Sequence, residues 1–251
     1  MTPRRFADDI ALCLVFFTRL PLPHFDFGSR TLAQAIWAAP LVGVAVAVAA
    51  SAVHALASAA GLSPEVAAAL ALGAAMLTTG CLHEDGLSDV ADGFGGGRTQ
   101  DRKLDIMRDS RIGAYGASAL LMSVLIRWSA LAQLGNPLWV FCGLLAAHAA
   151  SRALLPAFMQ IVPPARQDGL GAGAGAVTAD TVYIALAIGA VALLALGLSG
   201  LVAAVILLVA VFYAFRALCM RQIGGQTGDT LGALQQAGEV TVLLVAAAAL
   251  T

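Results

Sequence analysis

Along most of this chain apolar residues neither alternate nor stripe; they run on. Leu32–Ala60 is the first long apolar stretch, ended by a tight break at Gly61–Pro64, and Glu65–Leu82 is the second. Gly116–Leu134 and Pro137–Met159 follow, divided by Gly135-Asn136-Pro137. Val177–Leu198 and Leu201–Met220 make a fifth and a sixth, divided by Ser199-Gly200, and Gly238–Thr251 is a short apolar tail. Runs of about 20 apolar residues, rising about 1.5 Å each, match a hydrocarbon core about 30 Å thick. The pattern predicts an all-α fold: a polytopic transmembrane helical bundle of about six to seven spans, forming one integral membrane domain over residues 1–251. The tail, barely long enough to cross, is the seventh element. Ahead of the first span, Met1–Phe17 has two arginines and an apolar run but no small-residue cleavage site, and Arg19-Leu20-Pro21-Leu22-Pro23 stops it. That predicts a short interfacial helix with Arg4, Arg5 and Arg19 toward anionic headgroups rather than a signal peptide.

The polar stretches between the spans carry the chemistry. His83–Gly97 reads HEDGLSDVADGFGGG and places four carboxylates, Glu84, Asp85, Asp89 and Asp92, within nine residues. The whole chain is only 12% charged and 60% hydrophobic, so this is a strong local concentration. On a helix Asp85, Asp89 and Asp92 stand at i, i+4 and i+7 and share one face. Carboxylates so placed repel one another unless a cation lies among them, and oxygen donors suit Mg²⁺ or Mn²⁺, which bind phosphate oxygens as well. Arg98, Arg102, Lys103, Arg108 and Arg111 follow, interleaved with Asp101, Asp105 and Asp109. Guanidinium forks match phosphate oxygens. An acidic metal site beside a basic strip suits chemistry on a diphosphate. Alternating charges between two spans also describe a plain solvated connection. The shared aspartate face and the attached glycine run weigh against that reading.

A second polar stretch, Arg221–Gly238, reads RQIGGQTGDTLGALQQAG and is expected as a loop. Its Gln226, Thr227, Asp229 and Thr230 supply donors, acceptors and one more carboxylate. Arg127 and Arg152 fall inside spans three and four, where a charge usually faces the bundle interior or a cavity. Arg152, nearer the polar end, is a candidate phosphate contact; Arg127 reads as a structural ion-pair partner or a snorkelling side chain. His54 and His148 read as hydrogen-bonded interior residues and His24 as interfacial. His83 opens the acidic motif beside Glu84 and is a candidate base or a hydrogen-bonding partner of the groups that hold the cation.

Mean hydropathy of +0.86 is that of a membrane protein. The net charge of −1 offers nucleic acid no bulk attraction. The four cysteines, Cys13, Cys81, Cys142 and Cys219, have neither CxxC nor zinc-ligand spacing and read as small packing residues. With a cytoplasmic N-terminus, the N-terminal segment and the connections after spans two, four and six, with adjoining helix ends, hold thirteen of the fourteen basic residues. Arg127 is the fourteenth. The opposite connections hold none, a positive-inside pattern that puts both polar motifs and the Val162–Ala176 loop on the cytoplasmic face.

At these residues the chain resembles a known family. HEDGLSDVADGFGGG, IMRDSRIGAYG and IGGQTGDTLGALQQAGE, with the early FFTRLPLP, are similar to the signature blocks of cobalamin synthase, the adenosylcobinamide-GDP ribazoletransferase family. The blocks come in that family's order along most of the chain; Ser88 stands where its small Ala is expected. The resemblance implies a Mg²⁺-dependent enzyme of a bacterial inner (cytoplasmic) membrane that completes the nucleotide loop of adenosylcobalamin. It implies that adenosylcobinamide-GDP and α-ribazole, or its 5′-phosphate, are joined and GMP leaves. Asp85, Asp89 and Asp92 would hold the metal, with Glu84 a further ligand or proton acceptor and His83 the alternative acceptor. Arg98, Arg102, Arg108, Arg111 and Arg152 would contact phosphate, and Gln226, Thr227, Asp229 and Thr230 the nucleotide or the ribazole. Membrane lipids are the surrounding partner, and Gly- and Ala-rich spans leave room for a homo-oligomer.

Two other readings start from the same residues. CDP-alcohol phosphotransferases also cluster aspartates in membrane bundles, and Asp89–Gly93 fits their D-x₂-D-G opening. Gly96-Gly97, however, replaces their Ala-Arg pair, and the QTGD block has no counterpart there. A cation carrier would use carboxylates too, but such sites lie near the bilayer midplane on broken helices, whereas these clusters lie at span ends.

Overall fold

The structure is a computed structural model describing residues 3–23, 25–166 and 176–251. His24 and residues 167–175, most of the glycine-rich part of the expected Val162–Ala176 loop, lie outside that set, as do the side chains of Arg4 and Arg5. Every regular element among the described residues is a helix, and one isolated bridge joins Pro164 to Gln226. Helix α1 (Pro3–Phe17) precedes a short α2 (Leu32–Ala35), which runs through a 3₁₀ turn into α3 (Ala39–Ala59). Next come α4 (Pro64–Thr79), α5 (Leu82–Gly96) and the two-turn α6 (Gln100–Ile106). Then follow α7 (Ala114–Leu134), α8 (Pro137–Ile161), α9 (Ala179–Leu193), α10 (Gly197–Ile223) and α11 (Gly228–Leu250).

Among the described residues, five stretches are long and apolar enough to cross a membrane, or six if α4 and α5 count as one bent span. The longest, Ala179–Ile223, has 45 residues, about twice what a bilayer needs. It is interrupted by a 3₁₀ turn at Leu194–Leu196 and by Gly197, where φ is +72°, which divide it into α9 and α10. Lipid tails are as apolar as leucine, so the bundle is held by close packing rather than by exclusion of water. Gly43 of α3 lies against the His148 carbonyl of α8, and a Cβ on Gly189 of α9 would sit 2.6 Å from that of Ala153. The outward faces of α7, α9 and α10 keep large apolar side chains exposed, among them Leu121, Val191, Ile206 and Tyr213, as contact with lipid requires.

Two local features build the polar end of the bundle. Gly80 and Cys81 both adopt left-handed backbone, φ +62° and +58°, and turn α5 by 88° from α4. A non-glycine residue in that conformation is strained by roughly 1–2 kcal/mol, so Cys81, which is exposed rather than packed, serves a sharp corner. α5 therefore leaves the spanning direction and lies across the end of the bundle. The Arg19 side chain fills the space over Gly80, and its amide donates to the Thr78 carbonyl at 2.7 Å. Gln100 Nε2 donates to the Ile223 carbonyl at 2.6 Å, and Lys103 Nζ to Gln222 Oε1, so α6 is tied to the end of α10. The Gln226 amide donates to the Pro163 carbonyl (2.8 Å) and the Ala165 amide to the Gln226 carbonyl (2.9 Å). The N-terminal segment and the connections after α4, α8 and α10 thus meet at one end.

The polar stretch Arg221–Gly238 is not a loop. α10 continues to Ile223, Gly224 (φ +70°) caps it, and α11 begins four residues later. Thr227 starts α11 as a reciprocal cap: its Oγ1 accepts the Thr230 amide (3.3 Å) while Thr230 Oγ1 accepts the Thr227 amide (2.8 Å). The physical reason is that polar residues need not be solvated: Gln235, Gln236 and Glu239 are buried in the bundle. The short tail is consequently the second half of a 23-residue helix.

Candidate active site

α5 is helical over the whole acidic motif, so Asp85, Asp89 and Asp92 do share a face. They have different surroundings. Asp92 accepts two backbone amides from the start of α7, Gly113 at 2.7 Å and Gly116 at 2.8 Å, and so anchors that helix to α5. A Cβ at either glycine would collide with its carboxylate. Asp85 is exposed and Asp89 half-buried. Burial raises the Asp89 carboxyl to about 7, and Asp85, Asp229 and Asp92 push it the same way by charge.

Asp229 comes to this face because α5 crosses the start of α11 at two glycines. A Cβ on Gly86 would lie 2.7 Å from the Asp229 carbonyl oxygen, and one on Gly232 would lie 3.3 Å from the His83 Cα. Asp85, Arg166 and Arg108 are among the charged neighbours of Asp229. Arg166 Nη2 is 3.7 Å from Asp229 Oδ2 and donates to the Leu104 carbonyl at 3.2 Å. Thr227 Oγ1 donates to Asp229 Oδ2 at 3.2 Å. Asp85 borders two spaces. A cavity of about 140 Å³ lies on the Asp229 side. A groove of about 590 Å³ between α5 and α7 is lined by Asp85, Asp89, Ser88 and Arg111.

The other expected site residues are distributed as follows. Arg98 and Arg102 are exposed around α6, and Arg108 is exposed after it. Arg111, also exposed, pairs with Asp109 at 2.6 Å. Gln226 is buried in the bridge to Pro164, and Thr230 in the α11 cap. His83 is 3% exposed, with its ring parallel to that of Phe17 at 5.9 Å. Arg152 and Glu84 point inward to a polar layer in the bundle interior. There Arg127, 1% exposed, donates through Nη1 to Glu84 Oε1 and Glu239 Oε1, both at 3.0 Å. His148 Nδ1 is 3.1 Å from Glu239 Oε2 and 3.2 Å from Arg152 Nη1. Gln235 Nε2 donates to Glu239 Oε2 at 2.6 Å, and Gln236 Nε2 to Glu84 Oε1 at 3.3 Å. Two arginines thus balance two glutamates across α5, α7, α8 and α11.

Glu239, Gln235, Gln236 and Arg166 were not singled out as site residues by sequence. The first three stand at i+4, i and i+1 on α11, a helical spacing hidden by reading that stretch as a loop. Among the described residues, no three His, Cys, Asp or Glu side chains stand close enough to hold a metal ion as they are placed.

Fold and site define an integral membrane helical bundle with an acidic, arginine-flanked site at one end. The chain belongs to the cobalamin-5-phosphate synthase family, whose model matches residues 9–247. A relative from Mesorhizobium japonicum, named adenosylcobinamide-GDP ribazoletransferase, is 61% identical over 251 residues, covering 100% of this chain and 97% of the relative. Proteins of the same name from Bradyrhizobium diazoefficiens and Sinorhizobium medicae are 51% and 43% identical, over 98% and 96% of this chain and 96% of each relative. No solved structure matches the chain.

Proposed function

We propose that this chain performs the transfer its relatives are named for, joining α-ribazole or its 5′-phosphate to adenosylcobinamide-GDP with release of GMP. The observation that carries this reading is the crossing of α5 with the start of α11, which puts Asp85, Asp89 and Asp229 together with Arg166 and Arg108 alongside. The site sits in the inner membrane of a bacterium and faces the cytoplasm, which the basic residues around it support.

The donor set fits Mg²⁺: all oxygen, acidic and partly exposed, with Asp89 held up to about 7 by burial first and by the neighbouring carboxylates second. Asp85 and Asp89 hold the ion in this proposal, with Asp229 available as a third ligand. Asp92, occupied by two amides, contributes from the outer side by fixing the α5–α7 contact. Bound Mg²⁺ would neutralise charge on the diphosphate oxygens. The ribose 3′-hydroxyl of the acceptor attacks the phosphorus nearest the cobinamide. The new O–P bond forms as the P–O bond to GMP breaks, and the hydroxyl proton passes to a carboxylate of the acidic face. Arg166 and Arg108 steady the phosphates, with Arg98, Arg102 and Arg111 at the rim.

The test is GMP release by detergent-solubilised protein given adenosylcobinamide-GDP, α-ribazole 5′-phosphate and Mg²⁺, with an EDTA control. EDTA-sensitive formation of GMP and a cobalamin product is expected. Corrinoid binding without GMP release would overturn the reading in favour of a carrier, and acceptance of a lipid alcohol would favour a CDP-alcohol-type enzyme.

A further inference from the structure

The 140 Å³ cavity has a distinctive build. Exposed Asp85 and Gly228, with half-buried Asp229, mark its open side, and buried Phe17, Ile36 and Leu155 with half-buried Met159, from four different parts of the chain, give it an apolar lining. His83 completes the wall, buried and parallel to Phe17, and its Nε2 has no hydrogen-bond partner. An unpaired buried ring nitrogen costs about 1–3 kcal/mol unless something else satisfies it. A dry apolar cavity of about 150 Å³ holds a benzene ring. This one therefore accepts a single six-membered aromatic ring with small substituents, and its only charged groups lie at the mouth. The GDP-bearing corrinoid is far too large for it, and the other space that Asp85 borders is the 590 Å³ groove.

Resting on the reading given above, we infer that this cavity holds the base of the acceptor nucleoside, a benzene ring fused to an imidazole and carrying two methyl groups. The methylated benzenoid half enters the apolar depth. The imidazole half stays level with His83, whose Nε2, buried and unpartnered in this structure, must turn toward the cavity to donate to the unsubstituted ring nitrogen. The ribose then projects from the mouth toward Asp85 and Asp229, on the side from which the groove delivers the diphosphate. α1 has a role in this arrangement beyond anchoring: Phe16 and Phe17 of its last turn close the cavity. His83 is then a specificity-determining contact rather than the proton acceptor. A purine would have to bury its pyrimidine nitrogens against Ile36 and Leu155 with no partner, so the cavity selects against it.

Three measurements on the full chain in detergent test the assignment. With wild-type protein, an acceptor lacking both methyls should show KM raised roughly tenfold, since each buried methyl contributes about 0.8 kcal/mol. Leu32→Trp, filling the cavity from its half-buried rim, should raise acceptor KM roughly tenfold or more by excluding the ring, leaving the KM for adenosylcobinamide-GDP unchanged. His83→Phe should raise acceptor KM roughly two- to tenfold with kcat retained, the loss of one hydrogen bond. It should also reduce the thermal shift given by α-ribazole alone.

Absence of GMP release by wild-type protein would remove the functional reading itself. Turnover by wild-type protein with acceptor KM indifferent to the methyls and to both substitutions would remove only the cavity assignment. A fall in kcat for His83→Phe at unchanged KM would overturn it in favour of proton transfer by His83. Should Leu32→Trp not fold, the methyl-free acceptor, which needs no variant, decides.

Discussion

Glu84 and Asp85 are neighbours with the same functional group, yet they belong to different parts of the molecule. One residue along a helix is a rotation of about 100°, enough to turn Glu84 into the bundle and Asp85 out to the acidic face. Glu84 is buried, paired with Arg127 and bonded by Gln236; it belongs to a charge-balanced layer linking four helices. Asp85 is exposed among other carboxylates, with arginines beyond them. The interior layer is nearly neutral as a whole and holds α5 in place. The outer face has unbalanced negative charge, which is what suits it to the cation proposed there. A carboxylate is structural or reactive here according to whether its counter-charge is already built in.

Substitutions on the two sides of α5 should have opposite consequences. Asp89→Asn should reduce kcat by about 10³-fold or more, since it removes charge where the diphosphate is neutralised, with no loss of thermal stability. Activity near normal at saturating Mg²⁺ would refute the outer face as the metal site. Arg127→Leu should do the opposite, removing the shared partner of Glu84 and Glu239 and destabilising the fold by about 3–5 kcal/mol. Chemical denaturation in detergent measures this, and an unchanged midpoint would show that the interior layer is not what fixes α5.

Gly86→Ala sharpens the boundary between the two regions. Its Cβ meets the Asp229 carbonyl, so α5 and α11 must separate while the interior pairs stay in reach. A displacement near 1 Å costs catalysis up to about 100-fold, and the stability loss should be the smaller effect. Equal activity in Gly86→Ala and wild-type protein would mean that Asp229 does not act with Asp85. The smallest effect is expected of Thr227→Ala, which removes the α11 cap: about 1 kcal/mol of stability and a few-fold loss of activity through the adjacent Asp229.

The class of fold was legible along the chain, because membrane spans are written in local hydropathy and need no knowledge of partners. So was the helical face of Asp85, Asp89 and Asp92, because a helix repeats every 3.6 residues whatever it packs on. Only the tertiary structure decided what those carboxylates do. Asp92 turned to the amides of Gly113 and Gly116, 21 and 24 residues away, and Asp229 took a place beside Asp85 and Asp89. Arg127 found Glu239 across 112 residues of chain, a complementarity with no local signal in either segment. The start of α11 stayed hidden for the same reason. Average polarity along a stretch cannot distinguish residues solvated by water from residues solvated by one another, and Gln235, Gln236 and Glu239 are of the second kind.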